Sequence, residues 1–127
     1  MKYIVTTQKK IEQAAIDLKE AVTRNGFGVL HIHDLKATMK NKGVDFPNEC
    51  RIFEVCNPQK AKAVLTNDMS LNMALPCRIS VWEENDQVKI GALKPTSILS
   101  ILSDSEELKL ISEEVEKTIK AIIDQAQ

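Results

Sequence analysis

Two short strings that combine cysteine with proline set the boundaries of structure in the middle of the chain. Val55-Cys56-Asn57-Pro58 reads as a strand that ends and a helix that begins, because asparagine caps helices and proline fits their first position, where no amide donor is needed. About twenty residues later, Leu75-Pro76-Cys77 separates an irregular segment, 68–76, from a strand over 77–83. Each string therefore places a thiol beside an element boundary, where local dipoles affect its chemistry.

Hydrophobic spacing predicts the other elements on either side of these boundaries. Alternating side chains predict strands, a period of 3.6 predicts amphipathic helices, and Asn85-Asp86 is expected to form a hairpin turn. The segment from Pro95 to Leu102 receives no assignment. We expect strands at 2–6, 27–33, 51–56, 77–83 and 88–92, and helices at 8–24 (capped by Thr7, ended by Gly26), at 35–42 (capped by Asp34, closed by Gly43), from Asn57-Pro58 onward, and from a capping box at Ser103–Glu106 to about 124.

This order of elements predicts an α+β fold in a single domain, 1–127. Five strands and two long amphipathic helices suit a two-layer sandwich, in which the long helices cover one face of a mostly antiparallel five-stranded sheet. The expected order is β-α-β4-α with short inserted helices. A ferredoxin-like arrangement with two insertions is the alternative.

Charge and composition narrow the range of partners. The 17 Lys and Arg residues nearly balance the 18 Asp and Glu residues, so the sequence lacks the basic surface that binds nucleic acid or anionic membrane. No apolar run approaches the roughly 20 residues that span a bilayer, and the N-terminus lacks a signal-peptide core. Three cysteines are too few for a disulfide scaffold. We therefore expect a cytoplasmic protein with reduced thiols.

Strand parity predicts which side chains occupy the sheet face that the long helices leave uncovered, which we term the bare face. In the hairpin, Cys77 falls among apolar side chains that face the helices. On the second strand, Leu30 and Ile32 are expected to face the helices as well. The predicted bare face carries His31, His33, Glu54, Cys56, Arg78 and Trp82. Such a mixture of charge, imidazole and indole is typical of an interface or a shallow pocket.

Cys56 has two interpretations. The free amides and the dipole at the start of the next helix could stabilise its thiolate. Alternatively, Cys56 is a small residue that packs on the first helical turn and is inert, as buried cysteines commonly are. A disulfide with Cys77 requires converging side chains, and the opposite strand parity of the two residues argues against it.

His31 and His33 are two residues apart on a strand, a spacing found in some metal sites. A zinc site needs further ligands, for which only Cys56 or Glu54 is available, and the Met69 and Met73 thioethers would suit Cu(I). No CxxC or HxxxH motif accompanies these residues, and the dispersed glycines form no phosphate-binding loop. The sequence therefore predicts no metal site and identifies no cofactor. A polar dimer contact explains the histidines equally well, and gap filling in a loop explains the methionines.

Taken together, several strings resemble the family catalogued as DUF302, a domain of unknown function. They are Gly26-Phe27-Gly28, His33-Asp34-Leu35 with Lys42-Gly43, Val55-Cys56-Asn57-Pro58 with Ala61, and Leu75-Pro76-Cys77-Arg78 with Val81. The resemblance runs from about residue 3 to 123 and implies a small TATA-binding-protein-like α+β fold, β-α-β4-α, frequently seen as a dimer. It transfers no activity and no catalytic residue. This chain departs from the family pattern after the hairpin, where it has Lys94-Pro95 instead of the expected acidic residue with proline.

The leading hypothesis is a homodimer, formed through the bare face, that binds a small ligand as a non-enzymatic or accessory protein. One alternative is a thiol- or metal-dependent enzyme that uses Cys56 with the two histidines. The other is a purely structural interaction domain. The sequence does not identify the ligand. The candidate binding residues are Cys56, Asn57, Pro58, Pro76, Cys77, His31, His33 and Trp82.

Overall fold

Five β-strands form one sheet in the computed structural model, which describes residues 1–127. The strands are β1 (Lys2–Thr7), β2 (Gly28–Asp34), β3 (Cys50–Cys56), β4 (Cys77–Glu84) and β5 (Gln87–Leu93). The helices are α1 (Ile11–Arg24), α2 (Leu35–Asn41), α3 (Pro58–Asn67), α4 (Pro95–Leu102) and α5 (Glu106–Ala126), and a 3₁₀ helix covers Met69–Ala74. None of the helices combines the length and apolar character needed to cross a membrane.

The strand order is β1-β5-β4-β3-β2, and every neighbouring pair is antiparallel. Strands β2 to β5 form a meander, and β1 joins its edge beside β5. The predicted α+β fold and its β-α-β4-α order with short inserted helices are confirmed. The hairpin turn is confirmed too, since Asn85 and Asp86 have φ values of 51° and 61°, as a type I′ turn requires. The ferredoxin-like alternative is wrong, because β1 lies at an edge and no strand follows α5.

Local capping signals fix several helix boundaries where the sequence predicts them. Asn57 Oδ1 accepts hydrogen bonds from the amides of Gln59 and Lys60 at 3.0 and 3.2 Å, and Pro58 occupies the first turn of α3. Helix α1 gives way to Gly26, whose φ of 80° is the left-handed conformation that favours glycine after a helix. These boundaries follow from side chains adjacent in sequence.

Two predicted caps are wrong. The Thr7 hydroxyl accepts a hydrogen bond from the Lys9 amide instead of capping a helix, and α1 begins only at Ile11. Helix α5 is capped by Ser105 and not by Ser103. Helix α1 has no side-chain cap at its N-cap residue Lys10, whereas at α5 two serines stand near the helix start and pattern alone does not decide which one is used.

Strand β2 contains a β-bulge that changes its predicted parity. Its register with β3 shifts between Val29 and His31, so that Leu30 has no cross-strand partner. Val29 packs on the core, whereas Leu30 is 61% exposed, and the prediction that Leu30 faces the helices is therefore wrong. Ile32 pairs with Phe53 on the helix side, as expected.

Two apolar clusters hold the helices against the sheet. The larger cluster lies between the sheet and helices α1 and α5 and contains the fully buried Leu18 and Phe53. The smaller cluster joins α3, the 3₁₀ helix, α4 and α5 through Val64, Leu71, Leu99 and Leu108. Helix α4, which the sequence left unassigned, and the 3₁₀ helix, which lies in a segment predicted to be irregular, thus form an outer layer near one end of the sheet.

Candidate functional site

A cavity of about 290 Å³ lies between the two apolar clusters, at the end of the sheet where β3 and β5 finish and β4 begins. We term it the strand-end cavity. Ligand pockets usually start near this size, at about 300 Å³, and most of the lining side chains are apolar. Each surrounding element contributes to its wall, as shown by Cys56 of β3, Ala61 of α3, Pro76, Cys77 of β4, Leu99 of α4 and Ile111 of α5.

The start of α3 produces one wall of the strand-end cavity. Because Asn57 and Pro58 begin the helix directly after β3, the first turn of α3 places Lys60 and Ala61 beside the strand end. On the far side, Pro76 lines the cavity between the 3₁₀ helix and β4, and its peptide bond to Leu75 is cis. The two strings that the sequence singled out thus meet at one site.

Helix α4 forms the opposite wall, and α5 holds it in place. The backbone amide and the hydroxyl of Thr96 donate hydrogen bonds to Glu116 Oε1 at 3.2 and 2.6 Å. Burial opposes ionisation of Glu116, but hydrogen bonds from Thr96 and the nearby Lys120 outweigh it and lower the pKa of the carboxyl. The ionised Glu116 carboxylate therefore accepts hydrogen bonds at the start of α4, where the N-cap residue provides no side-chain cap.

Cys56 and Cys77 both line the strand-end cavity, and all three cysteines are free thiols. Cys77 pairs with Val55 across β3 and β4 and packs on the larger cluster, as its parity predicts. Burial, reinforced by the nearby Cys56, raises the pKa of Cys77 to about 11. Cys77 is therefore a neutral thiol at pH 7, and thiolate chemistry at this position is suppressed.

The amides at the start of α3 are not available to Cys56. Asn57 Oδ1 accepts from the amides of Gln59 and Lys60, the Ala61 amide donates to the Asn57 carbonyl, and Pro58 has no amide hydrogen. The expectation that this turn offers Cys56 free amides is therefore wrong. Asn57, the residue that makes the helix start recognisable in the sequence, also accepts the hydrogen bonds of the first amides of α3.

A second group of polar side chains, which we term the histidine cluster, lies on the bare face and consists of His31, His33, Glu54 and Arg78. The two imidazole rings lie 4.4 Å apart between centroids, and His33 Nε2 contacts the Glu54 carboxylate. The hydrogen bond from His33 lowers the pKa of Glu54, with further contributions from the charges of His33, Arg78 and His31, against some desolvation. The register confirms that these residues share a face, since His31 pairs with Glu54 and Glu54 with Arg78.

The histidine cluster does not combine with Cys56 into a catalytic or metal-binding arrangement. His33 makes its hydrogen bond with Glu54, and neither histidine hydrogen-bonds to Cys56. No group of three or more His, Cys, Asp or Glu side chains is placed to hold a metal ion. The His33 side chain forms a surface hydrogen bond with the Glu54 carboxylate.

Trp82 lies in a different part of the bare face. It pairs with Cys50 on β3, six residues from Cys56, which corresponds to roughly 20 Å along the strand. Its Nε1 donates a hydrogen bond to Glu84 Oε1 at 3.0 Å, and its ring lies over Gly91. Trp82 is therefore on the predicted face but remote from the thiols.

The structure thus divides the predicted site residues among separate places. Cys56, Asn57, Pro76 and Cys77 line the strand-end cavity, while Pro58 lies next to it without lining it. The sequence reasoning missed the walls contributed by α4 and α5, including Leu99 and the buried Ser112. Proline at the start of the apolar segment 95–102 was the available signal for α4, because proline is typical of a first helical position.

Comparison with known proteins agrees with this architecture. A family model described as "Domain of unknown function DUF302" matches residues 3–126. A crystal structure of an uncharacterized conserved DUF302 protein from Bacillus stearothermophilus superimposes with a TM-score of 0.93 at 33% sequence identity, covering 99% of this chain and 98% of that one. No functionally curated protein matches the chain. With the family match spanning nearly its whole length, this chain belongs to the DUF302 family.

Proposed function

We propose that this protein binds a small, largely apolar ligand in the strand-end cavity, as a binding or accessory protein. The observation that carries the proposal is the cavity of about 290 Å³, which the two cysteine-proline strings, α4 and α5 enclose together. If one non-hydrogen atom of the ligand takes about as much space as a water molecule, roughly 30 Å³, the cavity accommodates about ten such atoms. Three free thiols suit a reducing compartment, so we place this binding in the cytoplasm.

The proposal assigns Cys56 to the edge of the bound ligand. Cys56 is half-buried and lines the strand-end cavity, whereas Cys50 lies at the other end of β3. A bound ligand should therefore shield Cys56 and leave Cys50 unaffected. Cys77 is expected to contribute shape and apolar surface, because its thiol stays neutral at pH 7.

The binding test uses 1-octanol, an aliphatic probe that matches the estimated size. We expect saturable NMR shifts at residues of the strand-end cavity, and alkylation of Cys56 slowed at least fivefold while that of Cys50 is unchanged. Ala61→Phe places a large ring in the cavity and should abolish both effects. Ala37→Phe, at an exposed alanine of α2 outside the cavity, should abolish neither. Octanol shifts that do not saturate, or that survive Ala61→Phe, would contradict the proposal.

We also propose that the chain forms a homodimer through the part of the bare face that β1 and β5 present around Ile4, apart from Arg78 and the histidine cluster on β2 to β4. That part of the face exposes Ile4, and it carries opposite charges side by side in the Lys89–Glu84 pair. A face with both signs of charge and exposed apolar surface can complement itself across a two-fold axis.

The oligomeric state is testable with two matched isoleucines. Ile4 on the bare face is 46% exposed, and Ile16 on the outer side of α1 is 53% exposed. Sedimentation equilibrium should show a dimer that Ile4→Lys converts to a monomer and Ile16→Lys leaves intact. A monomeric wild-type protein, or a dimer that Ile16→Lys dissociates and Ile4→Lys does not, would refute this interface.

A further inference from the structure

We infer that the ligand of the strand-end cavity is an aliphatic carboxylate, with its chain inside the cavity and its carboxylate on Arg78. This inference rests on the proposed binding function and deepens it by naming the chemical class of the ligand. It follows from the charges around the cavity, from the state of its other polar groups and from its shape.

The charged groups that line the strand-end cavity are all positive. Lys60 and Arg78 are the ionised side chains of its wall, and no aspartate or glutamate contributes to it. An apolar cavity with positive charge at its edge favours a ligand that carries an anionic group and disfavours a cationic one.

Of the two cations, Arg78 is the one without an ion-pair partner. Lys60 Nζ pairs with the Glu114 carboxylate of α5. Arg78 forms no ion pair, and Glu54, the nearest carboxylate across the strand, is engaged by His33. The guanidinium presents a planar fork that matches the two oxygens of a carboxylate.

The neutral polar groups of the wall already have partners. Asn57 Oδ1 accepts from two amides, and Asn57 Nδ2 donates to the Gly26 carbonyl at 3.4 Å. Ser112 donates its hydroxyl hydrogen to the Lys109 carbonyl at 2.9 Å. A polar but neutral ligand head would compete with these bonds, whereas a carboxylate can use the free guanidinium.

The position of Arg78 sets the orientation of the ligand. Arg78 is exposed on the bare side of β4, so the carboxylate would sit at the mouth of the cavity in contact with water. The apolar wall formed by α3, α4 and α5 lies behind it, and the exposed Met73 and Leu93 extend the apolar surface at the opening. An eight-carbon chain fits the estimate of about ten non-hydrogen atoms.

The test compares octanoate, 1-octanol and octylammonium, which share a chain length and differ in the charge of the head. We expect octanoate to bind the wild-type protein at least fivefold more tightly than octylammonium. In Arg78→Gln this preference should fall below twofold while 1-octanol still binds. It should also weaken in high salt, because the pair at the mouth is exposed. Lys89→Gln should keep the preference, since Lys89 lies outside the cavity and already has a carboxylate partner.

The outcomes separate this inference from the proposed function. Saturable binding of 1-octanol with equal affinity for octanoate and octylammonium would overturn the carboxylate assignment and leave the binding function standing. Loss of the preference in Lys60→Gln, with Arg78→Gln unaffected, would overturn the role of Arg78. Failure of all three probes to bind would refute both proposals. Thermal unfolding of each variant shows whether it is folded before its affinity is interpreted.

Discussion

Gly91 occupies a place on β5 where the sheet has no room for a side chain. An added Cβ would lie 3.0 Å from both Ile4 Cγ1 and the Tyr3 carbonyl oxygen, and 3.1 Å from Trp82 Cη2. The carbonyl belongs to a paired strand and cannot move without disturbing the β1–β5 ladder. We therefore predict that Gly91→Ala lowers the free energy of unfolding by about 1–3 kcal/mol, the usual cost of overpacking, measured by urea denaturation.

Gly28→Ala is the matched control for this prediction. Gly28 also lies in a strand, but the nearest atom to its added Cβ is the Cys56 carbonyl oxygen at 3.9 Å, an ordinary contact. Alanine should be neutral or slightly stabilising there, because it restricts the unfolded chain. Equal destabilisation by the two substitutions would show that loss of glycine in a strand, and not crowding at position 91, is responsible.

At the scale of helices and strands, an element boundary could be predicted when the residues that fix it are close to it in sequence. A boundary was missed when those residues are distant in sequence. The start of α3 was predictable because Asn57 and Pro58 are its own first residues. Helix α4 was missed because it begins after Lys94 without a side-chain cap. Its Thr96 amide donates a hydrogen bond to Glu116, which lies twenty residues further along the chain. The bulge at Leu30 likewise depends on how β2 meets β3, which no local pattern records.

The contact between α4 and α5 leads to a prediction about Glu116. Glu116→Ala removes the acceptor for both Thr96 hydrogen bonds and should lower the free energy of unfolding at pH 7 by about 1 kcal/mol, as loss of a helix cap does. Since the folded protein holds the pKa of Glu116 below its usual value, this stabilisation is complete above the unfolded pKa, about 4.3, and is lost as pH falls through the folded pKa. The difference between variant and wild type should therefore shrink at pH 3.

Urea denaturation at pH 7 and pH 3 measures both parts of this prediction. Glu113→Ala, which removes a carboxylate of the same helix that makes no hydrogen bond to α4, is the control and should change little. A Glu116→Ala protein as stable as wild type at pH 7 would show that the hydrogen bonds from α5 do not hold α4.

At the scale of the whole molecule, strand alternation predicted the face of a side chain but not its distance from another. Cys56 and Trp82 were both assigned to the bare face, and the register agrees, yet six positions along β3 separate their places. The strand-end cavity was not predictable at all, because it exists only where α3, α4 and α5 converge on the ends of three strands. The two cysteine-proline strings that the sequence singled out do border this cavity, although nothing in them indicated that a cavity would form there.

The ionisation of the whole molecule predicts how its stability depends on pH. The pKa values of five carboxyls, Asp17, Glu54, Asp68, Glu84 and Glu116, lie below their usual values in the folded protein. Each contributes stability that is present above its unfolded pKa and lost as pH falls through its folded pKa, so the free energy of unfolding should decline from about pH 5 to pH 3. Self-repulsion adds to this decline, because the 17 Lys and Arg residues keep their charge as the carboxylates lose theirs.

Glu54 allows this dependence to be traced to one contact that joins β2 to the rest of the sheet. Glu54→Gln removes the carboxylate that hydrogen-bonds His33 at the edge strand, so the variant should be less stable than wild type at pH 7 and should lose less stability between pH 5 and pH 3. Glu20→Gln, at an exposed glutamate of α1 without an ion pair, should reproduce the wild-type curve. The measurement is the free energy of unfolding at half-unit pH intervals. A Glu54→Gln curve parallel to that of wild type would mean that the histidine cluster does not contribute to the acid sensitivity of the fold, and that β2 is held by its backbone ladder alone.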